Sequence, residues 1–369
     1  MNGNGKTEIG RRSHNFLIAK ASGICYNQLN MSKLLTVSVA AYNVEATLRE
    51  ALDSFTDPGV AELVEVLVVD DGSTDRTAQI AREYEAAYPG TFRLIQKENG
   101  GWGSTLNAAM EQASGKYFKQ LDGDDHYMKE NLPCFLRLLE HTQADLVWTA
   151  FTVFEDGSNG TLYVESRFRE FTGIHQTLDL KEIGYQIPAM HSVTVRTKVL
   201  QDAGIRLTEH CFYTDLEFVL KVFNHCHTFT YLELPIYMYR VNSSGQSMSI
   251  EGIRRHYKDH QQVLLNCLKY WKNEVTEPFK KEALRRRLER ACTMQYMFYY
   301  ALECTNAQRK ELQAFDRMML QEYPEFTRDA EGGNRLRILR KTHFHGYRIL
   351  GPQNTRQDRR LRRHIFEKT

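Results

Sequence analysis

The chain has 369 residues, 42% hydrophobic and 25% charged, enough for one large domain or two smaller ones with a full core. Its formal net charge of +2 neither demands nor excludes nucleic acid, and seven cysteines scattered without CxxC spacing point to reduced thiols rather than a disulfide frame. No apolar run reaches the roughly 18 to 20 residues of a membrane-spanning helix, and no apolar stretch around Arg11 and Arg12 has the form of a secretory signal.

Residues 1–32 are polar and aperiodic. From Leu34 the chain alternates between two periodicities. Leu35 to Ala40 is a β-branched apolar run and reads as a strand; Leu48, Ala51, Leu52 and Phe55 follow at helical spacing. Leu63 to Val69 is a second strand ending in Asp70-Asp71-Gly72-Ser73, and Ser73 or Thr74 is placed to cap a helix running to about Ala87. Phe92 to Gln96 reads as strand, Ser104 to Ala113 as helix and Lys116 to Leu121 as strand. This rhythm predicts an α/β fold with a doubly wound, mostly parallel, Rossmann-like sheet. Further on, Asp145 to Val153 reads as strand, 154–185 as loop, Thr214 to Phe223 as helix and Phe229 to Tyr239 as strand. From Ile253 to about Gln321 apolar stripes at helical spacing predict a long-helical C-terminal region. A basic tail follows: between Arg335 and Thr369 there are eleven Lys and Arg against Asp358 and Glu367.

Two acidic turns carry the chemistry. Asp122-Gly123-Asp124-Asp125 follows a strand and crowds three carboxylates together, a costly arrangement unless a cation or hydrogen-bond donors relieve it. Hard oxygen donors suit Mg²⁺ or Mn²⁺. An EF-hand is excluded, because the glycine is misplaced and Pro133 stands where the bidentate Glu belongs. Asp70-Asp71 ends an earlier strand of the same sheet, so both turns are expected at one C-terminal edge, where open α/β sheets bind ligands. The plain alternative for either is a solvated Asp-Gly turn. Ala40-Ala41-Tyr42-Asn43 after the first strand holds no GxGxxG, which disfavours a dinucleotide. A tyrosine beside a carboxylate suits a nucleoside instead, with a ring to stack and an acceptor for the base N–H. Cys211, His225, Cys226 and His227 match no usual zinc spacing.

Three blocks, LTVSVAAYNVEATLREALDSF, EVLVVDDGSTDRTAQIAREY and ENGGWGSTLNAAMEQASGKYFKQLDGDD, together resemble the nucleotide-binding half of the family-2 glycosyltransferases over residues 34–132. The resemblance implies a GT-A fold and inverting transfer from a UDP-sugar. It assigns Asp71 to the uracil, Ala41 and Tyr42 to the base, Asp122 to ribose or sugar, and Asp124 to the metal on the diphosphate. Asp125 is adjacent, without a role of its own. Two positions depart from the pattern: Ala41 stands where a proline is common, and Leu106 where a basic residue often precedes Asn107. Downstream, Asp215 falls where the family places the base that deprotonates the acceptor, with Thr214 in place of the common Glu and Glu217 as the fallback. The structural alternative is that Asp215 or Thr214 caps a helix. Tyr237-Met238-Tyr239-Arg240 and Gln246-Ser247 lie where related enzymes close over the donor. Arg240 is a candidate diphosphate contact, and His191, Gln246 and Ser247 are candidate acceptor or diphosphate contacts.

The resulting expectation has four parts: an N-terminal extension (1–32), a GT-A-like domain (33–250), a helical region (251–334) and the basic tail (335–369). The expected activity is metal-dependent transfer of a hexosyl or N-acetylhexosaminyl unit, with Mg²⁺ or Mn²⁺, to a glycan or lipid-linked glycan of a cell-envelope polysaccharide. The setting is the cytoplasm, at the inner membrane face where the basic tail meets anionic lipid; no nucleic acid is expected. The alternatives are transfer to a polyprenyl phosphate and a non-catalytic sugar-nucleotide-binding protein. A nucleotidyltransferase is disfavoured because 40–45 lacks a glycine-rich basic loop.

Overall fold

A computed structural model describes residues 33–155, 161–165, 176–241, 249–327 and 334–350, with backbone alone for 161–165. The extension 1–32, the tail beyond 350, and Gln246 and Ser247 lie outside the described residues. The described residues belong to one compact unit.

The strands are β1 (Leu35–Ala41), β2 (Val64–Asp70), β3 (Phe92–Gln96), β4 (Tyr117–Asp122), β5 (His126–Tyr127), β6 (Leu146–Glu155), β7 (Thr161–Glu165), β8 (Leu178–Asp179), β9 (Val193–Arg196) and β10 (Thr228–Val241). They form one sheet in the order β3-β2-β1-β4-β9-β6-β10-β5, with β7 on β6 and β8 on β10. The ladders β1–β2, β1–β4 and β2–β3 are parallel, as the rhythm predicts, and β6–β10 is parallel as well. The short strand β9 is antiparallel to both β4 and β6 and joins the two parallel halves. Its four residues, VTVR, are too few to show a period in sequence. The region read as loop also holds β7 and β8.

The helices are α1 (Leu48–Asp53), α2 (Pro58–Ala61), α3 (Thr77–Ala87), α4 (Trp102–Gln112), α5 (Leu132–His141), α6 (Thr197–Asp202), α7 (Thr214–His225), α8 (Ile250–Asn273), α9 (Pro278–Tyr300), α10 (Asn306–Glu322), α11 (Asn334–Lys341) and α12 (Tyr347–Leu350). One correction concerns α3. Neither Ser73 nor Thr74 caps it: the Ser73 hydroxyl accepts from Asn43 N–H, Thr74 N–H donates to the Asn43 side chain, and Asp75 takes Thr77 N–H. The loop after β2 spends its polar groups on the loop after β1, which ties the two strand ends together.

Both sheet faces are buried. On one, alternate residues of β1 and β4 (Leu35, Val37, Val39; Tyr117, Leu121) pack beneath α1, α3 and α5. On the other, Leu67, Val69 and Phe118 share a continuous core with α4, α7 and the helices α8 to α12, including Leu264, Leu288 and Tyr347. The helical region is therefore packed into the same core as the sheet. Caps start two of its helices: Ser249 accepts from Gly252 N–H ahead of α8, and Thr305 and Gln308 form a capping box ahead of α10.

Candidate active site

Parallel register brings the two acidic turns together. Ala41 pairs with Asp70 and Ala40 with Asp122, so the ends of β2 and β4 flank the end of β1 at one sheet edge. Gly123 fits because a Cβ there would lie 2.9 Å from the Ala40 carbonyl oxygen. Tyr42, the residue after β1 at this edge, is 50% exposed. Ala41 is buried, and its carbonyl accepts from Asp71 N–H at 2.9 Å.

Asp71 itself is buried and heavily partnered. Its Oδ1 accepts from Lys97 Nζ (2.9 Å), Gly100 N–H (2.9 Å) and Ser104 Oγ (3.3 Å), and its Oδ2 from Gly101 N–H (2.7 Å). A carboxylate offers about four acceptor sites, so Asp71 holds the glycine loop, and a base N–H reaches it only if one of these donors yields. That loop in turn lies flush against the turn before α7: a Cβ on Gly103 would sit 2.2 Å from the Thr208 carbonyl oxygen, which only glycine allows. Lys97 puts a cation here that the Leu106 position lacks.

The second turn is clamped from behind. Asp125 is buried; its Oδ2 accepts from the Tyr237 hydroxyl (2.6 Å) and its Oδ1 from Arg240 N–H (2.7 Å). Arg240 is 5% exposed, donates from Nε to the Asp124 carbonyl (2.7 Å), pairs with Glu50 and stacks on Phe154 at 4.8 Å. In this structure the Arg240 guanidinium holds the turn from behind, from β10, and its expected contact with a diphosphate has no counterpart among these bonds. Asp122 Oδ1 accepts from the Trp102 indole N–H at 2.6 Å, which joins the glycine loop to the turn. The sequence places Tyr237 and Tyr239 on the segment expected near the donor but gives neither them nor Trp102 a contact of its own; the alternation Tyr-Met-Tyr on a strand puts both phenols on one face.

Asp215 lies in the first turn of α7, where the nearby backbone N–H groups of Leu216 and Asp215 favour its charged form against burial. Tyr213 at the N-cap is left-handed and makes no side-chain cap, and the Thr214 hydroxyl is buried without a partner. The fallback base, Glu217, is a brace: it accepts from Thr208 N–H (2.8 Å) and pairs with Lys221 (2.7 Å).

Electrostatics show where these groups converge. Burial, then Asp124, raises Asp122 to about 7, and Asp215 adds to the rise. Burial, then Asp124 and Asp122, pushes Asp125 well up, and burial raises Asp124 and Asp215 against the opposing charges of Arg240 and Arg287. The Tyr239 phenol is raised by burial and then by the fields of Asp125, Asp122, Asp124 and Asp215 together. All four carboxylates are thus near enough for their charges to act on one buried phenol. The His191 ring stacks on that tyrosine at 4.4 Å and edges onto Tyr237 at 4.8 Å.

Asp122, Asp125 and His191 each bring a ligand atom within 4.8 Å of the others. Neither ring nitrogen of His191 has a hydrogen-bond partner although both are shut off from solvent. Burial, then Lys119, lowers His191 to about 3, so the imidazole is neutral with a lone pair free. Two carboxylates and a neutral imidazole fit a hard divalent cation such as Mn²⁺ or Mg²⁺. Asp124, which the resemblance assigns to the metal, stands outside this group of three.

Residues 36–201 match the family described as Glycosyl transferase family 2. The chain carries a family-2 glycosyltransferase domain. It is 27% identical over 230 residues to the uncharacterized glycosyltransferase EpsJ of Bacillus subtilis, covering 58% of this chain and 63% of EpsJ. It is 29% identical over 216 residues to the poly(ribitol-phosphate) beta-N-acetylglucosaminyltransferase TarS of Staphylococcus aureus, covering 58% of this chain and 36% of TarS. The chain thus spans less than two thirds of either relative. In fold it is similar to the crystal structure of S. aureus TarS 1-349 in complex with UDP-GlcNAc, with a TM-score of 0.58 and 22% identity over 86% of this chain and 90% of that one. That likeness covers the mixed sheet and extends into the helical C-terminal region, and it makes the fold GT-A.

Proposed function

We propose that this family-2 domain is an inverting glycosyltransferase that moves a hexosyl or N-acetylhexosaminyl unit from a UDP-sugar to a hydroxyl of a cell-envelope glycopolymer. The observation that carries the reading is the grouping of Asp122 and Asp125 with His191, their ligand atoms within 4.8 Å of one another, with Asp124 and Asp215 near enough to raise Asp122, beside an exposed Tyr42 at the sheet edge. Tyr42 stacks on the uracil, and Asp122 orients ribose or sugar. Asp215, a buried carboxylate whose proton affinity burial raises, takes the proton from the acceptor hydroxyl as the acceptor oxygen attacks the anomeric carbon and UDP departs from the opposite face. Its place in the first turn of α7 supports the carboxylate form it needs before the transfer.

His191, Asp122 and Asp125 would hold a divalent cation, with Asp124 next to them. When bound, such a cation supplies charge that offsets the diphosphate of the leaving group. UDP-GlcNAc is the first donor to test, since TarS was crystallised with it. The acceptor class rests on TarS acting on poly(ribitol-phosphate), and on fold-level analogy. The setting is the cytoplasmic side of the envelope, with the basic tail as a membrane-facing element; among the described residues no helix is long and apolar enough to cross a membrane.

The deciding experiment incubates the full chain with a panel of UDP-sugars and Mn²⁺, reading UDP release and thermal shift. Stabilisation and release with one UDP-sugar support the reading. If none binds, or if Asp122→Ala binds as well as wild type, it is wrong. A polyprenyl-phosphate acceptor, already anionic, needs no base, so Asp215→Asn would then leave the rate within a few fold.

A further inference from the structure

Strand β4 enters the acidic turn through two fully buried polar residues, Lys119 and Gln120, both 0% exposed. A buried ammonium is costly unless it is compensated. Among the described residues Lys119 forms no ion pair. Its Nζ donates to the carbonyls of His191 (2.7 Å) and Val193 (3.1 Å), and lies over the rings of Tyr127 and Tyr237, 5.9 Å from each.

The place of those two carbonyls matters. The β4–β9 ladder pairs Tyr117 with Arg196 and Phe118 with Val195 and runs no further. Beyond it the chain turns through Met190–Ser192, the short turn that presents His191. Lys119 therefore continues by side chain the connection that the backbone ladder breaks off, and its two acceptors bracket Ser192. The His191 ring has no polar contact of its own to orient it, because both nitrogens are without partners. A metal-binding histidine normally gives its second ring N–H to a carboxylate or carbonyl that fixes the ring. Here that restraint is missing at the ring and present at the backbone. The ring is otherwise held by packing against Tyr239, Tyr237 and Phe151. Tyr237 also links the two sides: Lys119 sits on its face while its hydroxyl donates to Asp125.

We propose that Lys119 is the positioning residue of the cation site: it staples the 190–193 turn to β4 so that His191 is held within ligand distance of Asp122 and Asp125. The proposal rests on the reading of those three side chains as a cation-holding group. A lysine suits the task because three N–H donors on a flexible stem can serve two carbonyls and still leave the charge on aromatic faces.

The test measures Mn²⁺ affinity of the full chain directly, from loss of the free-Mn²⁺ EPR signal, alongside the melting temperature of the metal-free protein. The variants are Lys119→Met, Lys119→Gln, His191→Ala and the Lys119→Met/His191→Ala double. Lys119→Met is expected to weaken Mn²⁺ binding about 10- to 100-fold, and Lys119→Gln, which keeps an N–H for one carbonyl, by less. The double variant is expected to bind no more weakly than His191→Ala alone, because Lys119 acts through His191. A purely structural lysine would lower the melting temperature and leave the Mn²⁺ constant unchanged; that result, or additive effects in the double variant, overturns the proposal. Should Lys119→Met not fold, Lys119→Gln carries the same comparison. If wild type binds no Mn²⁺, or His191→Ala binds as wild type does, the cation-site reading fails and takes the proposal with it. Loss in His191→Ala with none in the Lys119 variants sinks the proposal alone.

Discussion

The two ends of the site differ in how fully their charges are answered. At the glycine-loop end, Asp71 accepts four hydrogen bonds, including a lysine ammonium and two backbone amides. At the other end Asp122 and Asp125 accept from the Trp102 indole, the Tyr237 hydroxyl and the Arg240 backbone N–H, with no side-chain cation among these donors, beside a neutral histidine whose nitrogens have no partners among the described residues. The same residue type therefore does opposite work. A satisfied buried carboxylate stiffens the fold, whereas under-compensated ones leave a deficit that a bound cation and substrate can remove.

The sharpest way to break this comparison is Asp215→Asn. With a hydroxyl acceptor, turnover is expected to fall about 10³-fold with donor binding kept, read as UDP release against UDP-sugar affinity; a change of only a few fold would move the residue out of the base role. His191→Ala comes next, with Mn²⁺ affinity expected to drop about 100-fold and little change in melting temperature. Asp124→Ala in the same titration ranks the ligand the sequence points to against the one the geometry points to. Asp71→Asn tests the opposite end. It leaves Lys97 without its partner and is expected to cost about 3 kcal/mol of stability, seen as a lower denaturation midpoint with Mn²⁺ affinity unchanged.

A smaller effect follows from pH. Asp122, raised by burial and then by Asp124 to about 7, and Asp125 and Asp215, raised first by burial, all bind protons more tightly folded than unfolded. Stability from such groups is complete below their unfolded values and is lost as pH rises through the folded ones. The metal-free protein is therefore expected to melt at a lower temperature at about pH 8 than at about pH 5, and Asp122→Asn should flatten that slope. A melting temperature that rises over this interval would show that the acidic end is better compensated than the geometry indicates. Tyr42→Ala is expected to have the mildest effect, weakening UDP binding by about 1 kcal/mol without altering stability, because its ring already faces solvent.

Much of the fold was legible in the chain because its signals are local. The alternation of apolar strands with helical spacing, and the two acidic turns after β2 and β4, are properties of short windows, and parallel strands end at one edge of the sheet whatever their order in it. Tyr42 and the Asp122 to Asp125 turn could be placed at one edge for the same reason. What tertiary structure decided was the partner of each polar group. Asp71 and Arg240 read as ligand contacts because their residue types suit ligands, yet loops 30 and more than 100 positions away supply their partners. His191 gains its place among the carboxylates from β9, a four-residue reversed strand with no periodicity to read. Lys119 reads as one polar interruption in an apolar run until the carbonyls of a turn 72 residues on are seen beneath its ammonium. Sequence specified which charges would be brought to the sheet edge; only the packing decided which would be satisfied there and which left for a ligand, because a buried charge is priced by its neighbours, and those come from distant parts of the chain.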